Sequence, residues 1–278
     1  MAKYVYPIIG DLPIPAIETK DVLAVLKPHW REKSETMSRV RGRIERLLAA
    51  ASVEGLRTGN PAVWKGHLKE ARLGKKRKSI PYRALGYLEL PAFLVELRAL
   101  KGVTPRALEF LILTTARTTE TIEARWSEID EVARVWNVPA ERMKAGRPHE
   151  VPLSARALEI LAGMKPLRDL SAGFIFPGRE LGRPLSNMAM LELLKRMGYA
   201  ATVHGFRSAF KTWAEEESDH AKSVIEASHA HVIADKTERS YMRGTWSKKR
   251  RALIEQWADY CMSAPVDTVV ELRGKIPA

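Results

Sequence analysis

Among 278 residues there is a single cysteine, Cys261. That excludes an intrachain disulfide and a cysteine-rich zinc site, and it makes a reducing cytoplasm the natural compartment. Long apolar runs are missing too: the most apolar stretch, Ala107 to Ala116, is interrupted by Glu109 and falls far short of the ~20 residues that cross a bilayer. Met1-Ala2-Lys3-Tyr4-Val5-Tyr6-Pro7 runs into Gly10-Asp11 with no apolar stretch behind it, so no signal peptide is expected. No internal repeat or low-complexity tract stands out. What these absences leave is a globular chain with 45% hydrophobic residues, long enough for one large core or two modest ones, with two domains as the expectation.

Positive charge is abundant: the formal net charge is +13. Its distribution is uneven. Residues 1–83 hold 18 Lys and Arg against 8 Asp and Glu, whereas the remainder is nearly balanced. Clustered cations bind a phosphate backbone by releasing its counterions, so the amino-terminal third reads as an electrostatic grip on an acidic polymer. Within it, the spacing predicts a short helix capped by Thr19 or Asp21, with Val22, Leu23, Val25 and Leu26 on its buried side. A longer helix capped by Ser34 follows, from Glu35 to about Ala51, burying Val40, Ile44, Leu47 and Leu48. The other face of that helix carries Arg39, Arg41, Arg43 and Arg46, placed to lie along a phosphate backbone. Asn60-Pro61 reads as the start of another short helix with Trp64 and Leu68. The run Gly74-Lys75-Lys76-Arg77-Lys78-Ser79-Ile80-Pro81 reads as a linker over about 72–82 that tracks DNA, with a nuclear-localisation signal as the alternative.

Beyond the linker, a helix from Leu90-Pro91 carries Phe93, Leu94 and Leu97, and Thr104-Pro105 opens a buried helix that delivers Arg117 near its end. Val132 to Val138 and Glu150 to Leu153 read as strands of a small antiparallel sheet, with Lys144 on or beside its hairpin. Ser154 and Ser186 cap the helices 155–164 and 187–197, and Phe174 to Pro177 is a short buried stretch. The remainder, 205–216, 221–230, 237–242 and 248–260, is expected to be helical. The fold class is therefore mainly α with a small antiparallel β-sheet.

Six residues carry chemistry. His204 and Arg207 stand at i and i+3 of one helix and share a face, so both can reach one phosphate. Arg117 and Arg207 suit the nonbridging oxygens, because a guanidinium stays charged and bonds phosphate bidentately. Lys144 has a proton to give a leaving oxygen, and His204 and His231 can donate to a developing charge near neutral pH. Tyr241, within Ser240-Tyr241-Met242-Arg243, is the nucleophile that would complete a metal-free attack on a phosphodiester.

In this order, Arg117, Lys144, His204, Arg207, His231 and Tyr241 resemble the active site of the tyrosine recombinases, the phage integrase family. The surrounding text is similar as well: Ala116-Arg117-Thr118-Thr119-Glu120, Val138-Pro139-Ala140-Glu141-Arg142-Met143-Lys144, Val151-Pro152-Leu153-Ser154 and Trp257-Ala258-Asp259-Tyr260. These phrases resemble integrases of satellite phages and genomic islands, over roughly residues 4–262. The resemblance implies a DNA breaking-rejoining catalytic fold at 83–264 behind a partial helical core-binding domain at 1–82, with a tail at 265–278. It makes Arg117 and Arg207 phosphate clamps, Lys144 the general acid, His204 and His231 supporting donors, Tyr241 the nucleophile and Glu120 the residue that orients an arginine. His229 is the alternative to His231, the ten-residue step to the tyrosine favouring the latter. Thr119 departs from the family's usual Gly or Ser.

Implied activity is site-specific recombination through a 3′-phosphotyrosyl intermediate, integrating or excising a prophage or genomic island, with no cofactor or metal. A type IB topoisomerase and a truncated DNA-binding remnant are the alternatives. Implied partners are double-stranded DNA attachment sites, further copies of the chain forming a tetramer on DNA, and excision and host DNA-bending factors, with no membrane and a nucleoid-associated, cytoplasmic location. An arm-binding domain and a complete core-binding domain are also implied. The chain opens near the end of the latter's first helix, so an incomplete protein is the expectation.

Overall fold

A computed structural model describes residues 1–71, 73, 84–170, 172–180, 182–230 and 246–264. Two compact units divide the chain, Met1–Pro81 and Tyr82–Ala278. Lys75, Lys76, Arg77 and Lys78 of the basic run, the expected helix at 237–242, His231, Tyr241 and the tail lie outside the described residues.

The first unit contains helices α1 (Tyr6–Ile9), α2 (Thr19–Leu26) and α3 (Ser34–Val53), with a 3₁₀ turn at Leu68–Ala71. Glu18, not Thr19 or Asp21, occupies the N-cap of α2; its backbone N–H donates to the Asp21 carboxylate at 2.9 Å, which satisfies one of the donors a helix start leaves open. Helix α3 buries Met37, Val40, Ile44, Leu48 and Ala51 at three- and four-residue spacing, as an amphipathic helix must. Leu47 lies outside that stripe and is exposed, contrary to the expectation for it. Trp30 stacks on Trp64 with ring centroids 5.4 Å apart. No helix starts at Asn60-Pro61: residues 61–67 form turns. The Asn60 side chain explains this, because Nδ2 donates to the Glu45 carbonyl at 2.7 Å while Oδ1 accepts from the Ala62 N–H at 3.0 Å. Such an Asx turn competes with helix and pins the loop to α3.

The second unit is mostly helical around a small antiparallel sheet. Its elements are α4 (Leu90–Ala99), α5 (Val103–Thr114), α6 (Thr118–Ile122), β1 (Ile129–Asp130), β2 (Val135–Val138), β3 (His149–Pro152), α7 (Ala155–Met164), α8 (Ala189–Arg196), α9 (Gly205–Glu217), α10 (Lys222–Ser228) and α11 (Ser247–Met262). Strand order is β1-β2-β3, with Trp136 opposite Val151 and Val138 opposite His149. Helix α5 packs against α4, α7, α8 and α11 and is buried nearly all round, which is why its sequence shows no polar stripe.

Glu109 sits inside that helix with no exposure. Its carboxylate is ringed by Arg98 at 2.7 Å, Arg156 at 2.9 Å and Arg106 at 3.2 Å. Burial alone would raise its pKa, but the hydrogen bonds from Arg156 and Arg98 prevail and hold it below the usual value. Ser154 caps α7 through its hydroxyl, which accepts from the Ala157 N–H at 3.3 Å. Among the described residues no helix is long and apolar enough to cross a membrane.

Candidate active site

Arg117 is set by the way α5 ends. Thr115 takes a left-handed conformation, φ +53°, uncommon for a β-branched residue, and the chain turns so that Arg117 becomes the N-cap of α6 rather than the end of α5. Glu120 then reaches back. One of its oxygens accepts from the Arg117 backbone N–H at 2.8 Å and the other from Arg117 Nη1 at 2.6 Å, so a single carboxylate fixes both the helix start and the guanidinium. Glu120 itself is buried.

His204 and Arg207 are delivered by the start of α9. His204 is the exposed N-cap residue, and Arg207, in the first turn, is buried. Gly205 lies between them because a Cβ there would meet the Ala84 Cα at 3.0 Å, a backbone atom with little room to move.

Both arginines converge on the carboxyl end of α10. Arg207 Nη2 donates to the His229 carbonyl at 2.8 Å and Arg117 Nη2 to the same oxygen at 3.4 Å. Arg207 Nη1 donates to the Thr115 carbonyl, the one that the left-handed turn presents. Burial, then the charge of Arg117, lowers the Arg207 pKa to about 10, with Glu120 opposing; the group stays charged at neutral pH. The ring of His229 is buried against Phe210, centroids 5.1 Å apart. Among the two neighbouring histidines, then, His229 contributes its backbone to the arginines, while His231 and Tyr241 lie outside the described residues.

Lys144 is exposed in the connection between β2 and β3. Two residues before it, Arg142 anchors that connection: Nη2 donates to the Glu120 carbonyl at 2.7 Å and Nη1 to the Glu128 carboxylate at 2.9 Å. The hairpin bearing Lys144 is thus bonded to the same helix that carries Glu120.

Sequence reasoning did not single out His149 or Arg250. His149 opens β3, and its Nε2 faces Arg250 Nη2 at 3.3 Å. Arg250, buried in the first turn of α11, also donates to the Glu150 carbonyl, and burial lowers its pKa to about 10. Burial and the charge of Arg250, then of Arg117 and Arg207, depress His149 to about pKa 3 against a hydrogen bond with the Ser228 backbone that works the other way. The signal available was positional: His149 shares its strand face with buried Val151, an unusual place for a histidine without a polar partner.

In the first unit Arg39, Arg43 and Arg46 are exposed on α3. Arg41 is different, being half-buried: it bonds Glu45, donates to the Ala62 carbonyl at 2.9 Å and lies over the Trp64 ring. Its guanidinium is engaged within the unit rather than presented with the other three. The gathered cations of the second unit, Arg117, Arg207 and Arg250 around one neutral histidine, have the carboxylate of Glu120 as the acidic group bonded to one of them. Such an arrangement is suited to an anion with several oxygens.

The phage integrase family model matches residues 89–248 and the phage integrase central domain model residues 1–67. Prophage integrase IntZ of Escherichia coli K12 is 37% identical over 262 residues, covering 93% of this chain and 63% of that protein. The integrase of Shigella phage Sf6 is 30% identical, covering 92% of this chain and 66% of its own length. The chain thus spans a little under two thirds of these relatives. Among solved structures, a lambda integrase dimer bound to a COC′ core site superposes with a TM-score of 0.59 at 20% identity over 88% of this chain and 86% of that one. The Tn1549 transposon integrase in complex with circular intermediate DNA gives 0.61 at 15% identity, over 88% and 87%. With that family's model covering more than half of the residues, the chain belongs to the phage integrase family.

Proposed function

We propose that this chain is a site-specific DNA recombinase that cleaves and rejoins DNA through Tyr241 and acts in the integration or excision of a prophage or genomic island. One observation carries this reading: two arginines from separate helices, Arg117 and Arg207, meet at a single carbonyl beside an exposed histidine. Holding two like charges together costs energy, and a phosphate bound between them offsets it.

In this reading Arg117 and Arg207 grip the nonbridging oxygens of the scissile phosphate. The Tyr241 oxygen forms a bond to phosphorus as the bond to the 5′-oxygen breaks, and Lys144 supplies the proton to that departing oxygen. His204 and His231 donate to the pentavalent phosphorane. A 5′-hydroxyl from the partner duplex then attacks the 3′-phosphotyrosyl bond, releasing the tyrosine, and strands exchange through a four-way junction without an energy source because the covalent link conserves the phosphodiester. DNA-bound lambda and Tn1549 integrases with the same fold support duplex DNA as partner, and the dimer and tetramer forms described for lambda integrase support several copies acting together. The domain reading follows: 1–82 grips core DNA and 83–264 performs the chemistry.

A nicked duplex spanning the end of the element, whose cleavage strands the 5′ fragment, traps the covalent intermediate. The unsubstituted chain is expected to accumulate a 3′-linked adduct, and Tyr241→Phe none, while both bind the duplex equally. An adduct formed by the Phe variant assigns the nucleophile elsewhere; relaxation of supercoils without junction resolution favours the topoisomerase alternative.

A further inference from the structure

Strand pairing holds the connection between β2 and β3 at its two ends only, Val138 and His149, and Lys144 lies near its middle. A general acid must stand within hydrogen-bond reach of the oxygen that it protonates, so the middle of this connection needs an attachment of its own. Arg142 supplies one. Its side chain is 15% exposed, and its guanidinium bonds two other parts of the unit. Toward α6, Nη2 donates to the Glu120 carbonyl at 2.7 Å and Nη1 to the Glu123 carbonyl, at the end of a helix where carbonyls lack helical partners. Toward the sheet, Nη1 meets both oxygens of the Glu128 carboxylate, at 2.9 and 3.1 Å. That carboxylate is itself held, because Oε2 accepts from Nε1 of the buried Trp136 on β2 at 2.9 Å. Next in the chain, Met143 is buried, and its carbonyl accepts from the Gly146 N–H at 2.9 Å, which turns the chain around the exposed Lys144.

We propose that Arg142 is a positioning residue for proton transfer: it seats the Lys144 connection on Glu120, the residue whose carboxylate sets Arg117. Glu120 serves two arginines by different groups. Its carboxylate accepts from the Arg117 backbone N–H at 2.8 Å and from Arg117 Nη1 at 2.6 Å, while its carbonyl accepts from Arg142. The clamp on the phosphate and the acid for the departing oxygen are thereby referred to one point, and a displacement of α6 carries both. An arginine is required because two carbonyls and a carboxylate must be met together; a planar fork with five donors does this, and a single ammonium does not. With its donors engaged and little of it exposed, Arg142 is no phosphate ligand. Lys144, two residues on, is the group presented.

Arg142 acts here through Lys144, so the assignment rests on Lys144 being the general acid, and the experiment separates the two. Single-turnover adduct formation by the full chain is measured on two nicked duplexes, one natural and one with sulfur in place of the departing 5′-oxygen, with binding and thermal unfolding recorded alongside. On the second, the Tyr241 oxygen bonds to phosphorus as the P–S bond breaks and the electron pair leaves on sulfur; a thiolate is a stable enough anion to depart without a proton. Arg142→Ala is expected to slow cleavage of the natural duplex about 10²-fold, the scale on which a small misplacement acts, with binding unchanged. On the sulfur duplex it should come within a few-fold of the parent. Arg142→Lys keeps the charge beside Glu128 and loses the fork; it should show the same pattern with a smaller loss, and it carries the comparison where Arg142→Ala does not fold. Adding Arg142→Ala to Lys144→Ala should slow the natural duplex little beyond Lys144→Ala alone.

Arg142 variants as fast as the parent on the natural duplex, equally slow on both duplexes, or multiplying the Lys144→Ala loss each overturn the inference, provided that sulfur rescues Lys144→Ala. A Lys144→Ala variant that sulfur does not rescue overturns the general-acid reading and this inference with it. No adduct from the unsubstituted chain on either duplex overturns the recombinase reading as a whole.

Discussion

Arginine does two different jobs in the two units. On α3, Arg39, Arg43 and Arg46 stand exposed, and the bonds that they make are local: Arg39 pairs with Glu35 on the same helix, and Arg46 with the Gly42 carbonyl. In the second unit Arg117, Arg142, Arg207 and Arg250 donate to carbonyls and carboxylates from other elements, and Arg207 and Arg250 are buried. The first arrangement makes a field and the second makes a geometry. A field needs only charge near the surface, so composition reveals it; an aimed fork depends on which carbonyl each turn presents.

The comparison breaks most visibly at Arg207. Replacing it with Lys retains the charge and removes the fork, so one ammonium must serve the places of two donors, at the Thr115 and His229 carbonyls. Adduct formation is expected to fall about 10²–10³-fold, the cost of removing an aligned donor, while duplex binding changes little. Equal loss of binding and cleavage would place Arg207 with the field-making residues.

Glu109 sharpens the same contrast without touching the chemistry. Its carboxylate gathers Arg98, Arg156 and Arg106 in the middle of α5. Glu109→Ala leaves three guanidiniums around an empty place and is expected to cost about 3 kcal/mol in urea unfolding. Because its pKa is lowered on folding, its contribution is present above the ordinary carboxylate value and is lost as pH falls through the folded one.

His149 gives the acid dependence. Folding lowers its pKa from 6.5 to about 3, so below 6.5 the unfolded chain binds the proton that the folded chain refuses. Stability therefore falls as pH drops from 6.5 toward 3, by about 1.4 kcal/mol per unit once well inside that window, and this residue adds no dependence above it. Urea midpoints at neutral pH and near pH 4.5 are expected to draw closer together in His149→Gln than in the parent. A parent and variant that lose stability in parallel would show that the ring is as easily protonated folded as unfolded.

How legible each part was follows the same division. Helices α3, α4 and α7 came from apolar spacing, and α7 from its cap as well, because burial of one face and the Ser154 hydroxyl act over a few residues; Ser34, expected to cap α3, is instead its first residue, with Lys33 at the N-cap and no side-chain bond there. No helix forms at Asn60-Pro61, where the Asn60 amide closes an Asx turn with the Ala62 N–H and also holds the loop to the Glu45 carbonyl, fifteen positions away. Arg117 and Arg207 were picked by type and order, yet no spacing could tell that both would end on the His229 carbonyl. His149 and Arg250 went unmarked since their meaning lies in a contact across 101 residues of chain.

The smallest effect tests the field itself. Removing the charges of Arg39, Arg43 and Arg46 together is expected to shallow the slope of log K against log salt by about 0.9 for each phosphate no longer neutralised, so by at most about 3, while adduct formation at low salt is retained. Arg41 is the internal control, one residue from Gly42 on the same helix but bonded to Glu45 and the Ala62 carbonyl and lying over Trp64. Arg41→Ala should leave the salt slope unchanged and instead lower the stability of the first unit, because it removes a packed side chain rather than a presented one. If Arg41→Ala moved the slope as much as any of the other three, charge count alone would govern DNA binding here, and the division between field and fork would not extend to the first unit.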